Sequence, residues 1–149
     1  MRRNFLKLAF ALGAVALVSA CATGPKHADM VGSIPSLKSG EGRIYFFRSN
    51  SMVGGAVQPE IRLDGQVVGQ SKPGGFFYVD RPAGNHVAGA STETEKTVSF
   101  ALQAGETKYI RSSVGIGLVM GRVILEPETP EKAKAELGSL SYTGTVASK

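Results

Sequence analysis

The chain has 149 residues, 42% hydrophobic and 19% charged, with a formal charge of +5 and one cysteine. That length fits one domain, and a lone cysteine excludes an internal disulfide. The positive charge argues for no nucleic-acid partner: Arg2, Arg3 and Lys7 crowd the N-terminus, while the other 14 basic residues alternate with 12 acidic ones and form no basic block.

Residues 1–20 read as a secretory signal peptide. A basic start, Met1-Arg2-Arg3-Asn4-Phe5-Leu6-Lys7, precedes an apolar run from Leu8 to Val18 and then small residues. The run is shorter than the roughly 20 apolar residues that a membrane-spanning helix needs. Val18-Ser19-Ala20-Cys21 resembles the lipobox of bacterial lipoprotein precursors. The resemblance implies cleavage after Ala20, a diacylglycerol on the Cys21 thiol and a further acyl chain on its amine. One chain anchors only marginally, whereas two suffice. The competing reading is an ordinary secreted protein with Cys21 as a spare thiol, which leaves that thiol without a role.

Two finer signals concern the route and the address. Arg2-Arg3-Asn4-Phe5-Leu6-Lys7 resembles the core of a twin-arginine export motif, with Met1 where Ser or Thr is usual. A basic n-region serves the general secretory route equally well, and both routes stay open. Ala22 stands where an Asp would resemble the signal for inner-membrane retention. By that resemblance the destination is the outer membrane of a Gram-negative cell; the domain is expected on its periplasmic face, with the cell surface as the alternative.

Residues 21–42 read as a flexible tether. Gly24-Pro25, Ile34-Pro35 and Ser39-Gly40-Glu41-Gly42 break any helical or strand period, and about 20 residues of coil reach on the order of 25 Å. His27 is expected to be solvated there.

The folded body is expected over 43–128. Arg43-Ile44-Tyr45-Phe46-Phe47-Arg48 suits a strand covered on both faces. Glu60-Ile61-Arg62-Leu63 and Gln66-Val67-Val68-Gly69 flank Asp64-Gly65, the strongest short hairpin signal, and Pro59 predicts a sheet edge. Further strands are expected over Phe76–Asp80, His86–Ala90, Thr97–Leu102, Lys108–Arg111 and Ile116–Leu125. About eight short strands at this spacing predict a mainly β fold, a single small antiparallel β-sandwich. In the remaining stretch, 129–149, Thr129-Pro130 opens a short C-terminal helix and Gly138 closes it before a frayed tail.

Several of these segments together resemble a bacterial lipoprotein family. They are Arg43–Arg48, Leu63-Asp64-Gly65, Gly75–Val79, Pro82-Ala83-Gly84-Asn85-His86 and Ala104–Ile110, in that order. The family is catalogued as a domain of unknown function, number 2846 in its series. The Pro-Ala-Gly-Asn-His step is also similar to the Pro-Pro-Gly-x-His turn of small surface β-sandwich modules such as PEGA domains. Neither resemblance brings a catalytic residue.

The remaining constellations are weak. Asp80, His86 and Ser91 or Ser99 are the residue types of a hydrolytic triad, but no Gly-x-Ser-x-Gly elbow accompanies them. With Cys21 acylated, His27 and His86 alone make no zinc set. No calcium-loop spacing occurs. Gly115–Gly121 lacks the third glycine and the βαβ setting of a nucleotide loop. Two candidate faces are left: aromatics at Tyr45, Phe47, Phe76 and Tyr78, and an apolar patch at Leu118 and Val119.

The expectation is therefore a membrane-anchored lipoprotein carrying a non-enzymatic interaction or structural module. Its partner would be an envelope protein or assembly, and it would need no cofactor beyond its acyl chains. The alternative is a module that binds glycan, peptidoglycan or peptide through the aromatic face.

Overall fold

The computed structural model describes residues 21–92, 94–115 and 121–144. They form two β-sheets packed face to face, with helical segments on the outer face of one of them. The larger sheet holds β1 (Glu41–Phe47), β4 (Gly75–Pro82), β7 (Thr107–Gly115), β8 (Arg122–Glu128) and β9 (Ser141–Tyr142), in the order β8-β7-β1-β4-β9. The smaller holds β2 (Glu60–Leu63), β3 (Gln66–Gln70), β5 (Gly84–Ser91) and β6 (Glu95–Leu102), in the order β3-β2-β5-β6. The mainly β sandwich expected from strand spacing is present, with nine strands among the described residues and a short helix near the C-terminus. Its hairpins are antiparallel, but β1 with β7 and β4 with β9 pair in parallel. The parallel pair follows from the path of the chain. β6 descends the small sheet, the Gln103–Glu106 turn crosses to the large one, and β7 then rises beside β1.

Strand direction gives the sandwich two distinct ends. Residues 48–59, the Lys72–Gly74 turn and the β5–β6 turn lie at one end, called upper here. Gly40, the Asp64-Gly65 turn, the β4–β5 turn and Ala104-Gly105 lie at the lower end.

The inner core follows from alternation. Ile44, Phe46, Phe77 and Ile110 of the large sheet meet Ile61, Leu63, Ala88, Ala90 and Leu102 of the small one. Phe46 and Phe77 are cross-strand partners with stacked rings 5.1 Å apart. Phe77 packs so closely beneath Gly69 that a Cβ there would come within 2.5 Å of its ring. The Asp64-Gly65 hairpin forms as its sequence demands, with φ of 51° and 82°. Pro59 departs from expectation. It stands just before β2, an interior strand flanked by β3 and β5, and the Pro59 carbonyl accepts from the Ser71 amide.

The segment read as an open tether has structure of its own. It contains a one-turn helix α1 (His27–Met30) and a 3-10 turn at Val31–Ser33. Its backbone is tied to the far end of the sequence: Tyr142 donates to Pro25 (2.8 Å), His27 to Leu140 (3.0 Å) and Ala28 to Gly138 (3.3 Å). These partners satisfy donors and acceptors that an isolated segment would leave to water. Residues 22–40 therefore run as a strap along the body from the upper end to the lower, where Gly40 turns into β1.

The second helix, α2 (Pro130–Leu137), begins as its sequence implies. The Thr129 hydroxyl accepts from the Lys132 amide and Pro130 takes the first turn. Gly138 stays right-handed at φ −51°. The helix ends in tightened bonds from Ser139 to Glu136 and from Leu140 to Leu137.

Candidate functional site

Because β1 is apolar on both sides, its outward residues need a cover of their own. Tyr45, Phe47, Phe76 and Tyr109 form a second core with Ala133 and Leu137 of α2 and with Leu140. Met30 and Ile34 of the strap pack against it. Phe76 is fully buried, Phe47 is 2% exposed and Tyr45 is 7% exposed. His27 lies edge-on to Phe76 at 5.1 Å and to Tyr45 at 5.7 Å. Burial lowers its pKa and raises that of the Tyr45 phenol, with the Arg43 charge opposing the latter. The expected solvated histidine is thus a packed one. The expected aromatic platform is an interior in which only Tyr78 keeps partial exposure. A period of two marks which residues share a face; it does not reveal that a segment over 80 residues away covers that face.

Arginines close the rim of this second core. Arg43 makes a bidentate pair with its cross-strand partner Asp80 (2.7 and 2.8 Å), donates to the Pro35 carbonyl of the strap (2.7 Å) and lies 4.6 Å over the Tyr78 ring. Arg111 lies 4.8 Å over Phe47. It binds Glu128 (3.0 Å), Glu136 (2.6 Å) and the Ser49 hydroxyl (2.8 Å), which itself donates to Glu136. The arginine holds the Glu136 carboxyl below its ordinary range. The Thr129 amide, then Arg111, do the same for Glu128. The sequence places Arg43 before an apolar run and Arg111 in an expected strand but does not reveal their partners, which strand register and helix docking supply.

The hydrolytic trio is not assembled. Asp80 is committed to Arg43. His86 directs Nδ1 to Asp64 (2.6 Å) and Nε2 to the Pro82 carbonyl (2.9 Å), while the second Asp64 oxygen accepts from the Val87 amide (2.9 Å). Both ring partners are acceptors, so the imidazolium alone satisfies them at once. Burial lowers the His86 pKa, but Asp64 and the Pro82 carbonyl outweigh it and raise the value overall. No ring nitrogen is left for a serine. The arrangement fastens the β2–β3 turn to the start of β5. Among the described residues no three His, Cys, Asp or Glu side chains gather as metal ligands.

The upper end differs in character. Arg48 is 3% exposed and has carbonyls as its hydrogen-bond partners: Val57 (2.7 Å), Gly54 (2.8 Å) and Ser71 (3.3 Å). It thereby pins residues 49–59 to the body and leaves their tip outside, with Met52 96% exposed and Val53 77% exposed. Cys21, also exposed, stands at the same end. The Ala22 amide donates to Pro73 (3.2 Å) and the Gly74 amide to Ser49 (3.3 Å), so the strap begins one turn away from this loop. A cleft of about 390 Å³ is lined by Cys21–Pro25, Lys72 and Tyr142–Gly144. Val18, Ser19 and Ala20, the arginines Arg2 and Arg3, and the apolar candidates Leu118 and Val119 lie outside the described residues.

A family model described as a protein of unknown function (DUF2846) matches residues 38–122, more than half of the chain and most of both sheets. The chain belongs to this family. The DUF2846 match begins just before β1 and ends at the first residue of β8, so most of the strap and all of α2 and β9 lie outside it. A Haemophilus influenzae protein described as uncharacterized is similar over most of both chains. It is 27% identical over 146 residues, covering 92% of this chain and 86% of the relative. No solved structure matches.

Proposed function

We propose that this DUF2846 protein is an outer-membrane lipoprotein, exported through residues 1–20, cleaved after Ala20 and anchored by acyl chains on Cys21. Its sandwich serves as a non-enzymatic interaction or structural module for an envelope protein or assembly on the periplasmic face. The observation that carries the reading is Val18-Ser19-Ala20-Cys21 with no second cysteine in the chain. An exposed Cys21 at the outer start of the strap is compatible with modification. A module without catalysis is supported by side-chain chemistry: the Arg43, Arg111 and His86 groups are all engaged in fastening one element to another. The glycan reading would require the aromatic interior to open, since Tyr45, Phe47 and Phe76 are buried.

Mass spectrometry of the mature N-terminal peptide tests the anchor. Acylated Cys21 as the first residue is expected, and Cys21→Ala should leave the precursor uncleaved or release the protein from membranes. A free thiol at Cys21 in membrane-extracted protein would sink the proposal. In-cell crosslinking of the native and Cys21→Ala proteins tests the module. One dominant envelope protein captured only with the anchor supports docking, and glycan as the sole capture favours the alternative.

A further inference from the structure

Resting on the lipoprotein reading, we infer that the strap holds the sandwich directly on the membrane in one orientation, upper end down, with Met52 and Val53 meeting the lipid headgroups. Three independent features converge on that end. First, the length of residues 22–40 is spent along the body: Ala22 is bonded to Pro73, Tyr142 to Pro25, His27 to Leu140, and Arg43 holds Pro35. A lipid on Cys21 therefore has almost no free chain between it and the folded domain. A coil of the same length would reach on the order of 25 Å; this one does not extend.

Second, the loop that shares this end exposes two large apolar side chains side by side, Met52 and Val53. Arg48 fixes the base of that loop through three carbonyls, so the tip is presented by a held scaffold. Apolar side chains at the same end as an acyl anchor are suited to the boundary of headgroups and acyl chains, about 5–10 Å deep.

Third, charge is distributed to match. Residues 21–26, 48–59 and 71–75 contain Lys26 and Lys72 and no carboxylate. Arg48, the one other cation there, is buried. Glu136, which reaches this end from α2, is tied to Arg111 and Ser49. The lower end carries Glu41, Asp64 and Glu106 balanced by Lys38, Arg81 and Lys108, with Glu106 paired to Lys108 and Asp64 to His86, so the excess of lysine over free carboxylate belongs to the upper end. The β5–β6 turn places Glu95 at the upper end of the small sheet, so contact falls on the large-sheet side, where the strap begins. An anionic leaflet attracts nearby lysines and repels carboxylates.

The lone cysteine makes the test direct, because acylation consumes its thiol and an introduced cysteine becomes the single label site. Full-length protein carrying Met52→Cys, Val53→Cys or Gln103→Cys is purified from membranes. It is labelled with an environment-sensitive fluorophore and reconstituted into vesicles of phosphatidylethanolamine and phosphatidylglycerol with a headgroup-borne quencher. Gln103 is exposed at the lower end. Labels at positions 52 and 53 should be quenched several-fold more strongly than at 103. A Gly-Ser spacer inserted between Cys21 and Ala22 should bring all three to one level. Equal quenching without the spacer, or stronger quenching at 103, overturns the orientation while leaving the anchor intact. Intact mass measured on the same samples separates the two ideas: protein without acyl mass overturns both.

Discussion

On its inner face the five-stranded sheet presents Ile44, Phe46, Phe77 and Ile110 to a second sheet. On its outer face it presents Tyr45, Phe47, Phe76 and Tyr109 to a helix and a strap drawn from the two ends of the chain. The inner layer is closed by regular strands and has no charged member. The outer layer is ringed by Arg43 and Arg111, each stacked on an aromatic ring and held by carboxylates. The contrast separates the sandwich proper from its fittings. The inner layer lies almost wholly in strands covered by the family match, whereas most of the strap and all of α2 lie outside it.

If that division is sound, the two faces should fail differently. Phe77→Ala removes a ring that stacks on Phe46 and supports Gly69, and should cost about 3–5 kcal/mol. In urea unfolding both layers should then be lost in one transition at a lower midpoint. Leu137→Ala thins the cover over Tyr45 and Phe47 and should cost about 2 kcal/mol, at the low end of the range because an end-of-helix site can relax. Its signature should be a changed near-ultraviolet tyrosine signal with the far-ultraviolet β signal retained. Loss of both signals together at equal cost would mean that the outer layer is as integral as the inner.

The rim offers a finer cut. Arg111 is 19% exposed at its side chain and joins β7 to β8, to the upper loop and to α2. Arg111→Leu leaves Glu128 and Glu136 without their cation, though both retain solvent. A cost of about 1–3 kcal/mol is expected, between surface and buried pairs. Paired with Glu136→Gln in a double-mutant cycle, it should show a coupling of roughly 1 kcal/mol. A coupling of zero would make the aromatic stacking, and not the charge pair, the fastening of α2.

The inner layer was largely legible because its signals are local. Asp64-Gly65 specifies its own turn, and alternation at Val98, Phe100 and Leu102 marks a strand. The outer layer was half legible. An apolar run on both faces of β1 announced that something covers Tyr45 and Phe47, but not what. The cover comes from residues near either terminus, tied across more than 110 positions by bonds such as Tyr142 to Pro25. Glycine and proline in residues 22–42 argued for open chain, yet a one-turn helix forms at His27–Met30 and Glu41 and Gly42 already belong to β1. They carried no information on whether the irregular backbone would find partners. The bidentate Arg43–Asp80 pair was hidden for a similar reason, since it depends on a register that opposes residues 43 and 80. The cluster at the upper end is a product of topology, which gathers Cys21, Met52 and Lys72 from three separate turns.

The two histidines carry the same contrast into pH, with the smallest effects and opposite signs. His86 has its pKa raised above its ordinary 6.5 by Asp64 and the Pro82 carbonyl, against burial and the Arg81 charge. Its contribution is complete below 6.5 and is lost as pH rises through the folded value. Asp64, held below 3.8, loses its own contribution only as pH falls through that lower value. His27, half-buried against Phe76 and Tyr45, is pushed below 6.5 by that partial burial. Its neutral form is favoured in the fold, so its contribution is present above 6.5 and fades as pH falls toward the folded value. In the native chain the two partly cancel, and a flat stability profile near neutrality is expected. His86→Gln should unmask a decline toward acid as the strap loosens. His27→Phe should unmask a decline toward alkaline pH as the turn clamp weakens. Each should amount to at most about 1 kcal/mol, because the Asp64 carboxylate and His27 are both partly open to solvent. Denaturant midpoints measured from pH 5 to 8 decide it. If both variants sloped the same way, the strap and the sandwich would not be answering to separate protons, and the division between body and fittings would lose its chemical footing.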